Sequence, residues 1–124
     1  MTSDRIALVL CHGDVQPANI IVDPAGEPWL IDFEYACLAP REWDPAKLVI
    51  LSRRFGDPAG VDDVLAAWPS LDHARLAECI RAQETLLVAW LVRMSLSGTS
   101  GAAAEARRRA GSLDEPAAQW RHLR

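Results

Sequence analysis

Cysteine is scarce in this sequence and none of it is paired: Cys11, Cys37 and Cys79 are odd in number, widely spaced and free of any CxxC. That argues against a disulfide framework or a zinc ribbon and suits buried thiols in a reducing cytoplasm. Long apolar runs are also missing. The longest, Ile6 to Cys11 and Leu86 to Val92, are too short to span a bilayer, and nothing near Met1 resembles a cleavable signal, so the sequence predicts a soluble protein with no membrane partner. Positive charge is in deficit, with 13 basic residues against 17 acidic ones and a net charge of −4. This balance disfavours a nucleic-acid surface and mildly favours cationic partners. Repeats and low-complexity linkers are absent. What remains is a chain of 124 residues, half of them apolar, which is enough for one compact domain over 1–124.

Periodicity divides that domain into a β-rich first quarter and a helical remainder, an α+β composition. Ile6 to Leu10, Asn19 to Asp23 and Pro28 to Asp32 are expected to be short strands, the first of them buried. Asp23-Pro24-Ala25-Gly26 has the favoured residues of a type I turn and joins the last two strands into a hairpin. Helices are expected from Trp43 to near Gly56 and from Val61 to Trp68. A third carries the stripe Leu76, Ile80, Gln83, Leu87, Trp90 and Met94, with Asp72 as N-cap and Gly98 as stop, and is read as packing on the core. An Ala- and Arg-rich segment after Gly101 predicts one or two polar helices, and Arg107-Arg108-Arg109 is read as a solvated face.

Polar residues concentrate between Cys11 and Tyr35, in CHGDVQPANIIVDPAGEPWLIDFEY. With Pro24 to Glu27 as a four-residue hairpin loop, Asn19 would stand directly opposite Asp32. Cβ atoms of such a pair lie about 4.5–5.5 Å apart, so an amide oxygen and a carboxylate could share one cation. Oxygen donors of this kind suit Mg²⁺. Asp14 precedes Asn19 by five positions, across Val15-Gln16-Pro17-Ala18. Taken alone, His12 reads as a loop-structuring ring more readily than as a catalyst, Asp44 is equally a helix N-terminal acid and Glu34 equally an exposed loop acid. A zinc site from Cys11, His12 and Cys37 lacks the usual paired spacing.

The string His12-Gly13-Asp14-(four residues)-Asn19, followed by Ile31-Asp32-Phe33-Glu34, resembles the catalytic segment of the aminoglycoside phosphotransferase and choline kinase-like family, whose fold is protein-kinase-like. The later Arg41-Glu42-Trp43-Asp44-Pro45-Ala46 resembles a helix start in the same family. The resemblance implies the C-terminal lobe of a small-molecule kinase that moves the γ-phosphate of ATP to a hydroxyl. Asp14 would be the catalytic base, Asn19 and Asp32 the Mg²⁺ and nucleotide ligands, and His12 and Asp44 the supports of the loop. The acceptor would be a small hydroxylated molecule, an aminoglycoside or amino alcohol among the choices. No Gly-rich loop precedes His12, and the single lysine, Lys47, lies beyond the motif. The N-terminal ATP lobe is therefore expected to be absent, leaving an apolar face prone to self-association. The alternative expectation is a non-catalytic, pseudokinase-like binding remnant.

Overall fold

The computed structural model describes residues 5–57 and 60–123. Two small antiparallel sheets are followed by four helices: β1 (Leu8–Cys11), β2 (Ile20–Val22), β3 (Pro28–Leu30), β4 (Cys37–Pro40), α1 (Trp43–Phe55), α2 (Val61–Ala67), α3 (His73–Leu96) and α4 (Ala102–Gly111). β2 pairs with β3, and β1 pairs with β4 across the whole polar segment. The second pairing is not signalled by the sequence, because Cys37-Leu38-Ala39-Pro40 is short and ends in a proline, which only an edge strand tolerates.

The hairpin forms, but in a register one residue away from expectation. Ile20 faces Leu30, Ile21 faces Trp29 and Val22 faces Pro28. The type I turn is closed by Gly26 N–H donating to Asp23 O at 2.9 Å, and Gly26 then adopts φ +84°. A type I turn followed by one left-handed residue makes a three-residue loop with a bulge, so Asp23 pairs with Glu27 and every later partner shifts by one. Asn19 therefore lies opposite Ile31, whose N–H donates to Asn19 O at 2.8 Å, and not opposite Asp32.

Alternation in β1 and β4 sends Cys11 and Ala39 inward, 3% and 7% exposed, and Leu8, Leu10 and Leu38 outward, 56%, 79% and 69% exposed. The expectation of a buried first strand is corrected: only its inner face is covered, since no layer of the described chain lies over the outer one. The core sits in the helices. Leu48, Val49 and Ile50 of α1 pack on Val61 of α2 and on Leu76, Cys79 and Ile80 of α3, while Leu91 of α3 packs on Ala102 and Ala106 of α4. Each fully buried Ile or Leu contributes roughly 1.5–3 kcal/mol.

The helix ends follow their sequence signals. Asp72 caps α3 by accepting from Arg75 N–H at 3.1 Å, and Gly56 ends α1 with φ +72°. Beyond α4 the described chain forms no further helix. It is held instead by Arg54, 1% exposed, whose guanidinium forks onto Glu84 at 3.1 Å twice, donates to the carbonyls of Ser112, Glu115 and Ala118, and stacks 4.4 Å from the Trp120 ring. The expected solvated arginine face is half right: Arg107 and Arg108 are exposed, but Arg109 is buried and paired with Glu105 at 3.2 Å.

Candidate functional site

The site begins at the end of β1, where the chain leaves the sheet at His12. Gly13 turns it with φ +87°, and a Cβ there would fall on the backbone oxygen of Tyr35. Only glycine satisfies both conditions. Asp44, in the first turn of α1, clamps this turn from the other side: its two carboxylate oxygens accept the N–H groups of His12 at 2.9 Å and Gly13 at 2.8 Å. Charge-assisted bonds of this type are among the strong ones.

His12 is 5% exposed and links three segments. Its Nδ1 accepts from Asp14 N–H at 3.2 Å, which requires the proton on Nε2, and Nε2–H donates to Ile31 O at 2.8 Å. The ring also meets Phe33 edge-on at 4.8 Å. The imidazole thus ties the Asp14 loop to the Ile31-Asp32-Phe33 segment.

Asp14 is held on three sides. Asn19 Nδ2–H donates to Asp14 Oδ2 at 3.0 Å and to Asp14 O at 2.8 Å, Gln16 Nε2–H donates to Oδ2 at 3.0 Å, and Lys47 Nζ lies 3.3 Å from Oδ1. A carboxylate offers about four acceptor positions. Three are filled, and the fourth is on Oδ1, beside Lys47. Because both bonds from Asn19 go to acceptors, its amide nitrogen is the inward atom and its carbonyl oxygen turns away. The structure thus brings Asp14, Asn19, His12 and Asp44 into one connected cluster.

Asp32 stands one residue past Ile31 in a left-handed backbone with φ +63°, a conformation rare outside glycine, asparagine and aspartate. The turn takes its side chain out of the strand alternation. No hydrogen bond or ion pair engages its carboxylate among the described residues. A carboxylate and an amide oxygen are donors of the kind that Mg²⁺ takes together with water and phosphate, but the opposition of Asn19 and Asp32 that would have set them side by side is not formed. Among the described residues no group of three or more His, Cys, Asp or Glu is placed to hold a metal.

Lys47 is the site residue that the motif alone does not single out. A usable signal exists: three positions after Asp44 on α1, it lies on the same helix face and so meets the same loop. A cavity of about 660 Å³ opens beside Asp14 and Lys47, bounded by the C-terminal tail and by residues of α1, α3 and α4. Trp90 of the α3 stripe lines it and remains 48% exposed, so that part of the stripe faces the cavity and not the core. Cys37 also lines it, whereas burial pushes the neighbouring Cys11 thiol up to about 11.

Comparison with known proteins bears on the family and the fold. Residues 4–79 match the model of the phosphotransferase enzyme family. Among solved structures, the chain is similar to the choline kinase LicA from Streptococcus pneumoniae at 25% identity and a TM-score of 0.67, over 86% of this chain and 40% of that one. It is similar to LicA in complex with AMP at 25% identity and a TM-score of 0.66, over 88% and 40%. The chain therefore spans about two fifths of the length of these structural relatives. No curated protein matches it. With more than half of its residues inside the family match, the chain belongs to the phosphotransferase enzyme family.

Proposed function

We propose that these 124 residues are the catalytic lobe of an ATP-dependent kinase acting on a hydroxyl of a small molecule, with the nucleotide gripped between this lobe and another. The observation that carries the reading is the Asp14 carboxylate: three partners fix its direction, and its one open acceptor position is beside the cavity. An acceptor hydroxyl donating to that position would be aimed at the γ-phosphorus. As the new P–O bond forms and the bond to the ADP oxygen breaks, Asp14 takes the hydroxyl proton. Phosphoryl transfer asks mainly for such positioning and for charge neutralisation. Asn19 and Asp32 would hold Mg²⁺, which when bound neutralises the phosphate oxygens. His12 and Asp44 keep the loop in place, and Lys47 offsets the charge of Asp14 in the resting site.

The reading is tested with this lobe joined to a nucleotide-holding lobe of a family member, in a coupled ADP-release assay beside calorimetric titration of Mg-ATP. Asp14→Asn is expected to lower kcat by roughly 10² to 10⁴ with little change in nucleotide affinity. Asp32→Ala is expected to abolish Mg²⁺-dependent turnover and weaken nucleotide binding as well. Full activity in the Asp14→Asn protein overturns the assignment. Normal Mg-ATP binding with no transfer to any hydroxyl would identify a binding remnant.

A further inference from the structure

The stripe of α3 contains one amide. Gln83 shares its face with Leu76, Ile80, Leu87 and Met94 and is only 7% exposed. Taking an amide out of water is unfavourable unless its groups are bonded. Half of this one is: Nε2–H donates to the backbone oxygen of Trp43, in the first turn of α1. Turning the amide over would set two oxygens against each other, so that bond fixes which end is which. Oε1 meets no donor among the described residues, yet it is not sealed off, since no fully buried side-chain oxygen or nitrogen there lacks a partner. Gln83 lines the cavity beside Asp14, and the cavity is the side left open to its oxygen.

The other polar side chains of the wall differ from this one. Gln16 has its Nε2–H on Asp14 Oδ2, but it is half-buried and water can serve its oxygen. His122 is exposed, and Lys47 and Arg109 can only donate. The place of Gln83 relative to Asp14 follows from α1. Gln83 is tied to Trp43, Lys47 stands one turn later and reaches Asp14 Oδ1 at 3.3 Å, and that turn advances about 6 Å. Building on the kinase reading above, we infer that Gln83 is a specificity-determining residue: its carbonyl accepts from a second N–H or O–H of the acceptor while the reacting hydroxyl donates to Asp14. A site with a buried polar group rejects an analogue that lacks the matching partner, because the group is then left dry and unpaired. The aromatic faces of Trp43, Trp90 and Tyr35 admit a cationic or a neutral body alike, so the discrimination is by donor and not by charge.

Two pairs of ligands, each matched in charge, separate a donor from its absence. Protonated 4-(dimethylamino)butan-1-ol carries an N–H that its N-methylated quaternary salt lacks, and butane-1,4-diol carries a second O–H that 4-methoxybutan-1-ol lacks. Each is titrated into the ¹⁵N-labelled 124-residue chain while the Gln83 side-chain amide and the Trp43 and Trp90 indole resonances are followed. The donor-bearing member of each pair is expected to bind at least about threefold more tightly and to shift the Gln83 amide saturably, beyond any shift its partner causes. Gln83→Met removes the whole amide, and Gln83→Lys can still donate to Trp43 O but cannot accept, so the preference should disappear in both. Equal binding within either pair, or a preference that survives either substitution, overturns the inference. The Gln83 resonances of the unsubstituted chain decide the matter even where a substitution unfolds it. An active Asp14→Asn protein would remove the kinase reading and leave the Gln83 preference standing, whereas equal binding would remove only the role of Gln83.

Discussion

At the residue scale, one glycine decides whether the site exists. Gly13 combines a left-handed backbone with an approach to Tyr35 that leaves no space for a methyl group, and its N–H is half of what Asp44 holds. Gly13→Ala should cost more than about 2 kcal/mol, because backbone strain and overpacking act together. Gly26→Ala is a matched control: φ is +84° there too, but the added Cβ would meet nothing within 4 Å. It should cost about 1 kcal/mol, the strain alone. Urea denaturation midpoints compare the two, and equal losses would show that the contact with Tyr35 carries no weight. Some residues of the site are legible in the sequence and others are not. The spacing of Asp14 and Asn19 points to a shared loop. The roles of Lys47 and Arg109 depend on which helix face meets which loop, and that is settled only when α1 and α4 are packed.

At the element scale, the hairpin from β2 to β3 shows what pattern reading reaches. Its strands and its turn are predictable from Ile20-Ile21-Val22 and Asp23-Pro24-Ala25-Gly26, but its register is not. Loops of three and four residues are both compatible with that turn, and the choice rests on one left-handed residue, Gly26. Helix limits are read more closely, since the Asp72 side chain and the Gly56 backbone act within a single turn of the chain. The hairpin also carries a pH signature. The Trp29 indole, first, and the backbone N–H groups of Glu27, Ala25 and Gly26 hold the Asp23 carboxyl below the usual aspartate range, with the indole N–H donating to Asp23 Oδ2 at 2.9 Å. A depressed folded value means that the carboxylate favours the closed hairpin above the ordinary aspartate pKa. That contribution is lost as the pH falls through the folded value. The Trp29 indole resonance should therefore titrate below the range of an exposed aspartate, and Asp23→Asn should remove the transition. A midpoint at the ordinary aspartate value would show that the Trp29 contact has no energetic weight.

At the scale of the whole molecule, coverage is uneven. The helical part holds the buried core but leaves Leu86, Trp90 and Leu96 exposed on α3, while the outer face of the β1–β4 sheet leaves Leu8, Leu10 and Leu38 open, and the hairpin adds Ile21, Val22 and Trp29, each at least half exposed. A surface of this kind on a chain spanning about 40% of its structural relatives agrees with the proposal that a second lobe sits over the sheets. Left uncovered, the face should pair with itself, because contact with another copy removes its apolar side chains from water. Sedimentation velocity of the 124-residue chain should then show a weight-average coefficient that rises with concentration. Leu10→Lys combined with Leu38→Glu should suppress that rise while leaving the thermal midpoint nearly unchanged, since both side chains point away from the core and add little to its stability. A monodisperse monomer at high concentration would mean that the open sheet face needs no partner, and the case for a covering lobe would then rest on the family relationship alone.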